Sequence, residues 1–312
     1  MGFEKIIGND RVLKILQNAV NTGEFNHAYL IEGQKGTGKK TIALNFAKAI
    51  LCGEQSSPCD RCNSCYKVDK QIHPDLMIIK KDEGKTNILV DKIRFLREQA
   101  FVRPNESRYR VIIIEDSEDM NLSASNALLK VLEEPPAHII FILTSNNTSK
   151  LPETIKSRCL CLETNEVNSD KVRVYLNERY TDLDNNIISN ALYYSNGNIG
   201  RAISYIEDEN CREQFEKAVG LLKSLELESE YAILESLSFF ENDKDSFLQL
   251  LSDFDIIMAR VILSEENFYI RPSQAVKIHR LIDDIRFKIV SNSSFNLVLS
   301  LFCAEIKTIM EQ

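Results

Sequence analysis

The chain has 312 residues, enough for about two or three domains rather than one ordinary core. A net charge of −8 with 44% hydrophobic residues argues against a protein that coats nucleic acid by itself, although a local basic patch within a larger assembly stays open. No apolar run approaches the roughly 18 residues that span a membrane and the start "MGFEKIIGNDRVL" lacks a secretory layout, so we expect a cytoplasmic protein with no membrane partner.

The first predicted elements are a strand, a glycine-rich loop and a helix. An apolar run over residues 28–31 leads into "EGQKGTGKKT", and apolar side chains then recur on one helical face. The loop resembles G-x-x-x-x-G-K-[ST], whose backbone N–H groups and Lys contact phosphates and whose hydroxyl binds Mg²⁺. The predicted nucleotide-binding positions in this loop are Gly33, Gly36, Gly38, Lys39, Lys40 and Thr41.

The loop departs from this pattern at its last position, where Lys40 replaces the hydroxyl and Thr41 comes one residue late. An ammonium cannot coordinate a cation, and two single positive charges about 4 Å apart repel by roughly 4 kcal/mol at an effective dielectric of 20. Thr41 cannot substitute, because one residue along a helix rotates a side chain by about 100°. The sequence therefore predicts a degenerate P-loop in which ATP or ADP binding is doubtful.

Four of the eight cysteines fall in one short stretch, "LCGEQSSPCDRCNSC". Two interleaved C-x-x-C steps and a fourth Cys nearby supply the four thiolates of a closed, tetrahedral structural zinc site. Reduced surface thiols are the alternative. The predicted zinc ligands are Cys52, Cys59, Cys62 and Cys65.

Strand and helix signals alternate through the first half of the chain. Helical patterns include "ILVDKIRFLREQAF" and "SASNALLKVLEE", the second ended by two prolines. This alternation predicts an α/β fold with a parallel sheet covered by helices on both faces. Besides the first, the predicted strands are "DLMIIK" (75–80), "RVIIIED" (110–116), "HIIFILTS" (138–145) and "RCLCLE" (158–163).

Strand signals stop after about residue 163. Three helices are predicted near residues 170–180, 184–194 and 199–206, with "SNGNIG" as the turn before the third. Apolar residues then recur at helical spacing in "FLQLLSDFDIIMARVIL" and "AVKIHRLIDDIRFKIV", which predicts an all-helical C-terminal domain.

With these parts in order, the chain resembles the bacterial clamp-loader subunits of DNA polymerase III, which belong to the AAA+ superfamily, and among them most closely the delta-prime type. The resemblance depends on the P-loop stretch, the four-cysteine insert, "HPD" (73–75), "NALLKVLEEPP" (126–136), "TSN" (144–146) and "SRC" (157–159). It implies an AAA+ P-loop domain over residues 1–163 with a zinc insert at 52–65, a three-helix lid over 164–208, and a helical collar over 209–312 that joins subunits in a ring.

The resemblance offers two types of subunit, a gamma/tau-like motor that hydrolyses ATP and the delta-prime type that does not. Motors end the relevant strand in Asp then Glu, whereas this chain has Glu115 then Asp116. In the lid, Gly200 takes the place of an Arg that contacts nucleotide in motors, and Arg201 follows it. Together with Lys40, these departures favour the non-hydrolysing type and leave the motor as the alternative.

Arg158 in "SRC" corresponds to the arginine finger by which members of this family reach a neighbour's nucleotide site; an ordinary surface Arg is the alternative. The implied function is support of clamp loading in DNA replication, with no ATPase activity expected of the chain itself. The implied partners are gamma/tau and delta subunits, the sliding clamp through the complex, and primer-template DNA through the assembled loader.

Weaker signals leave their alternatives open. Arg94 and Arg97 share one helical face, which is either a DNA phosphate contact or a solvated basic surface. Lys130 either couples subunits or is simply exposed, and the two histidines beside strand starts, His27 and His73, are expected to pack or hydrogen-bond rather than act as ligands. A free-standing zinc-dependent DNA-binding protein is a third class, which the acidic balance disfavours.

Overall fold

The computed structural model describes residues 3–54, 57–225, 233, 235, 237, 243–263, 270–291 and 294–311. The chain divides into two compact units, Met1–Asp182 with Gly197–Gly200, and Leu183–Asn196 with Arg201–Gln312. The three-domain division after residues 163 and 208 stays a prediction. Within these described ranges, no helix is long and apolar enough to cross a membrane.

The first unit alternates strands and helices, as the sequence pattern predicts. Short 3-10 turns lie at Phe3–Lys5, Ser117–Asp119 and Thr148–Lys150. The strands and helices of this unit are α1 (Asp10–Thr22), β1 (Ala28–Glu32), α2 (Lys39–Leu51), α3 (Asn63–Asp69), β2 (Leu76–Ile79), α4 (Val90–Ala100), β3 (Arg110–Ile114), α5 (Leu122–Glu133), β4 (Ile139–Ser145), α6 (Glu153–Lys156), β5 (Leu160–Glu163) and α7 (Ser169–Arg179).

The five strands form one sheet in the order β2-β3-β4-β1-β5, and every neighbouring pair is parallel. The predicted α/β fold with a parallel sheet is therefore confirmed. Because the strands are parallel, the loops that follow β1, β3 and β4 emerge at the same edge, where ligands of such sheets bind. The predicted nucleotide-site residues lie at this edge.

Each face of the sheet packs against its own helices and its own apolar core. In β1, Ala28 and Leu30 point into one core, whereas Tyr29 and Ile31 point into the other. The central strands β1, β3 and β4 are buried on both faces and need near-continuous apolar sequence, which explains the runs that identified them. The predicted strands β2, β3, β4 and β5 were each one or two residues too long at one or both ends. Among the strand starts, that of β5 differs most: it begins at Leu160 rather than Arg158, because the amides of residues 158 and 159 close the preceding turn on the carbonyls of residues 155 and 156.

The second unit is helical throughout the part that the structure describes, as predicted. Two of its helices begin at the side-chain caps Asp208 and Asp243, whose carboxylates accept hydrogen bonds from the first-turn amides. The helices are α8 (Asn185–Ser195), most of α9 (Ile199–Glu207), α10 (Glu209–Ser224), and the helices Lys244–Ile262, Pro272–Val290 and Phe295–Met310.

Candidate functional site

The P-loop joins β1 to α2 and needs glycine at two points. Gly36 has φ 92° and Gly38, which precedes α2, has φ 88°, both in the left-handed region that other residues rarely adopt. A Cβ on Gly36 would lie 2.1 Å from the side-chain oxygen of Asn198, so the loop and this residue are packed against each other. The loop therefore has the glycine-dependent backbone that the sequence predicts for a P-loop.

Lys39, the phosphate-contacting position of the motif, is turned onto the loop itself. Its Nζ donates to the carbonyl oxygens of Gly33 at 2.8 Å and Gln34 at 2.6 Å, and the side chain is only 4% exposed. Burial lowers its pKa to about 8, although the charges of Asp116 and Glu118 oppose that shift. With a pKa of about 8, the Lys39 side chain is still mostly protonated near neutral pH, so it keeps the positive charge that attracts an anion.

Lys40 lies between the two carboxylates that follow β3. Its Nζ is 2.8 Å from Asp116 Oδ2 and 3.0 Å from Glu115 Oε2. Burial alone would lower its pKa, but the hydrogen bonds to these two carboxylates raise it overall. The same ion pair, with Asn146, holds the pKa of Asp116 below its ordinary value despite burial. The ammonium thus contacts both carboxylates after β3, the place where a P-loop protein carries its metal-binding carboxylate, while Thr41 is exposed.

Two further residues at this edge escaped the sequence analysis as individual site residues. Asn146, after β4, donates from Nδ2 to Asp116 Oδ1 at 3.0 Å and to Glu118 Oε1 at 2.9 Å. Its backbone amide donates to the same Glu118 oxygen at 2.9 Å. Asn146 follows β4 and Glu118 follows β3, and both strands end at the P-loop edge. This placement is the signal that could have identified the two residues.

The loop is also held by polar residues from distant parts of the first unit. The buried Asn198 donates to the Lys35 carbonyl at 2.8 Å, and the Gly200 amide donates to the Gly36 carbonyl at 2.9 Å. A Cβ on Gly200 would approach Gly36 Cα to 2.5 Å, so even an alanine here would push into the loop. On the other side, the Thr164 and Thr37 hydroxyls are 2.8 Å apart.

Arg158 lies just after α6 and makes contacts within its own chain. Its guanidinium donates to Glu133 Oε1 and to the Thr154 carbonyl oxygen, each at 2.9 Å. The side chain is about one third exposed and Glu133 about half exposed, so the group is open to solvent. The structure does not bring Arg158 together with the P-loop residues in a shared contact, which is compatible with action outside its own chain.

The four predicted metal ligands are brought together between α2 and α3. The sulfurs of Cys52, Cys59, Cys62 and Cys65 all lie within 4.8 Å of one another, and all four are free thiols. The Cys52–Cys62 and Cys59–Cys65 sulfurs are each 3.9 Å apart. Tetrahedral zinc with bonds of about 2.3 Å requires sulfurs about 3.8 Å apart, so these two pairs already have the spacing of a tetrathiolate metal site.

The remaining candidates from the sequence lie on the surface or make local hydrogen bonds and ion pairs. Arg94 is exposed and pairs with Asp91 at 3.1 Å, and Arg97 is partly buried on the same helix, α4. Lys130 is exposed. His73 is buried, and its Nδ1 accepts from the Asp75 amide at 3.1 Å, as expected for a hydrogen-bonding residue. DNA contact by α4 stays a prediction.

Comparisons with known proteins agree with this architecture. Subunit gamma of DNA polymerase III from Buchnera aphidicola subsp. Schizaphis graminum is 35% identical over 211 residues, covering 66% of this chain and 57% of that protein. Subunit tau from Bacillus subtilis is 38% identical over 172 residues, covering 54% of this chain and 30% of that protein. The chain thus spans little more than half the length of the first relative and less of the second.

A solved structure supports the fold over nearly the whole chain. The gamma subunit-related protein of DNA polymerase III from Thermotoga maritima superposes with a TM-score of 0.50 at 20% identity, covering 95% of this chain and 99% of that one. The family model described as DNA polymerase III, delta subunit, matches residues 8–168, which is more than half of the chain. The chain therefore belongs to the DNA polymerase III delta subunit family.

Proposed function

We propose that the chain is a subunit of the sliding-clamp loader of DNA polymerase III that does not hydrolyse ATP itself, the delta-prime type. The observation that carries this proposal is the pairing of Lys40 with both Glu115 and Asp116. Mg²⁺ in a P-loop site neutralises charge on the phosphates and is held by a hydroxyl and a carboxylate. Here the hydroxyl is missing and an ammonium already contacts the carboxylates.

The water-orienting group is altered as well. Asp116 stands where motors of this family carry Glu, is one methylene shorter, and is fixed by Lys40 and Asn146. A displacement of about 1 Å in a catalytic group can lower a rate on the order of a hundredfold. Loss of the hydroxyl that binds Mg²⁺ and displacement of the carboxylate that orients water would both slow the hydrolysis of ATP.

A gamma/tau-like motor is the second candidate. The names of the curated relatives, gamma and tau, fit it at least as well as the delta-prime type. Gly33, Gly38 and Lys39 are retained and could still hold a phosphate on backbone amides and an ammonium. The ion pair of Lys40 is the reason for placing the motor second.

The other parts of the proposal follow from the same family. We expect zinc at the cysteine cluster, whose full set of four ligands leaves no open position and therefore assigns the metal a structural role. Arg158 would reach a neighbour's nucleotide site. The expected partners are gamma/tau and delta subunits, with the sliding clamp and primer-template DNA contacted in the assembled loader.

The isolated chain should show no ATP turnover above background. Lys40→Thr should restore a metal-binding hydroxyl and free two carboxylates, so we expect Mg²⁺-nucleotide affinity to rise at least tenfold, which is about 1.4 kcal/mol. Lys40→Met, which removes the charge without adding a ligand, is the matched control. Calorimetric titration with a non-hydrolysable ATP analogue, with and without Mg²⁺, measures the difference. Steady turnover by the wild-type chain that Lys39→Ala abolishes would establish the motor instead.

Freshly purified protein should contain one zinc ion per chain. Cys62→Ser removes one of four thiolates, so zinc content should fall and the segment between α2 and α3 should become protease-sensitive, because a structural site contributes folding free energy. Cys161→Ser, at an exposed thiol outside the cluster, is the control and should leave zinc content unchanged. Metal analysis after dialysis reads out both variants. Equal zinc in the Cys62 variant and the wild type would mean that the ligands are misassigned.

A further inference from the structure

A buried lysine lies beside the cysteine cluster. The Lys48 side chain is only 6% exposed, and its Nζ is 2.7 Å from Asp60 Oδ1 and 2.8 Å from Asp69 Oδ1. Asp60 follows the ligand Cys59 directly, and Asp69 ends α3, the helix that carries Cys65. The ammonium of Lys48 therefore links the last turn of α2 to the residue after Cys59 and to the end of α3.

Lys48 is also linked to the first ligand through the backbone. The Cys52 amide donates to the Lys48 carbonyl at 3.0 Å, which closes the last turn of α2. The same turn of helix therefore supplies a thiol through Cys52 and the cation through Lys48. Because α2 begins at the P-loop, this contact also connects the two candidate sites along one helix.

Asp60 lies in the tight turn that runs from Cys59 to Cys65. It adopts φ 58°, in the left-handed region that non-glycine residues rarely adopt. Within this turn the Cys65 amide donates to the Cys62 sulfur at 3.4 Å. Such donors orient metal ligands and stabilise the thiolate form, so a change of the turn at Asp60 would act directly on the ligands.

The charges around Asp60 show why it needs Lys48. Both of its carboxylate oxygens are buried, and the neighbouring sulfurs become negative when they bind a metal. A buried carboxylate next to thiolates is unfavourable unless a cation is paired with it. Lys48 supplies that cation, and its second partner, Asp69, lies in a more open position at the end of α3.

We propose that Lys48 is a positioning residue for the metal centre: through its ion pairs with Asp60 and Asp69 it holds the Cys59–Cys65 turn in its metal-binding form. The inference rests on the proposed zinc site. It assigns to Lys48 a role in metal affinity that differs from the role of the thiolates, because an ammonium has no lone pair with which to bind a metal ion.

Lys48→Met in the full chain should weaken zinc binding about tenfold or more, the usual range for loss of a group that orients metal ligands. Competition with a chromophoric chelator measures zinc affinity, and Co²⁺ substitution reports the tetrathiolate geometry through its absorption bands. Lys67→Met is the matched control, because Lys67 lies on α3 close to Cys65 but forms its ion pair with Glu106. The control should retain wild-type affinity.

A second variant separates metal positioning from simple packing. Lys48→Met combined with Asp60→Asn still lacks the ion pair but also lacks the negative charge at position 60, so it should recover most of the lost affinity. Lys48→Met with wild-type affinity, or a double variant no better than the single one, would overturn the inference. If the wild-type chain itself takes up no zinc, the proposed metal site fails and the role of Lys48 fails with it.

Discussion

Arg158→Ala is expected to lower ATP turnover by the assembled clamp loader while leaving assembly intact. An arginine finger supplied in trans stabilises the transferring phosphoryl group and contributes about 10³ to 10⁵ in rate at the site that it serves. Neighbouring sites would keep their own fingers, so the loss in the whole complex should be partial. Because the finger acts on the transition state, turnover should fall much more than nucleotide affinity.

The contacts of Arg158 within its own chain define the control. Its ion pair with Glu133 is solvent-exposed, and such pairs contribute about 0 to 1 kcal/mol to stability, so the variant should fold. Glu133→Gln removes the same pair but keeps the guanidinium. If the rate falls because the finger is lost, the glutamine variant should retain turnover. An unmodified rate in the Arg158→Ala complex would contradict the finger, and an equal fall in both variants would point to the ion pair.

Much of the fold follows from sequence because buried strands and helices leave periodic apolar patterns. The five strands were each found from a short apolar run, since strands of a parallel sheet that helices cover on both faces are mostly apolar. The end of α5 follows from two consecutive prolines. The cysteine cluster was found from spacing alone, and the structure brings its four sulfurs within 4.8 Å of one another.

The contacts of the candidate site were harder to predict. Polar loop residues have no periodicity, so nothing in the sequence placed Asn198 against the P-loop or Glu133 against Arg158. The substitution at position 40 was visible as an unsuitable metal ligand, but its partners were not. They depend on strand order, which brings the end of β3 to the start of α2 across the sheet edge.

The second unit contains a buried carboxyl group, Asp253, in a small network of polar side chains. Asp253 is 1% exposed, and its Oδ1 accepts from Gln249 Nε2 at 2.9 Å. The same Gln249 nitrogen donates to the Tyr194 hydroxyl at 3.3 Å, and that hydroxyl is 3.4 Å from the Cys211 sulfur. Burial raises the pKa of Asp253 to about 7, although Gln249 and the charge of Arg201 oppose the shift.

Asp253→Asn should therefore stabilise the second unit at alkaline pH. In the unfolded chain this carboxyl ionises near its ordinary pKa of 3.8, whereas in the folded protein it keeps its proton up to about pH 7. Stability is then lost as pH rises from about 4 to 7, at about 1.4 kcal/mol per pH unit, and the full penalty persists above pH 7. Asparagine keeps an acceptor for Gln249 and carries no charge at any pH, so it removes the penalty.

The gain in unfolding free energy from Asp253→Asn should be about 2 to 3 kcal/mol larger at pH 8 than at pH 5, because the wild type has by then passed through most of its pH-dependent loss. Urea unfolding of the full chain at the two pH values measures this difference. Asp284→Asn, at an exposed carboxyl group of the same unit, is the control and should show no comparable change with pH. An Asp253→Asn effect of equal size at both pH values would mean that Asp253 is already ionised in the folded protein at pH 5, and that the network around Tyr194 and Gln249 accommodates its charge.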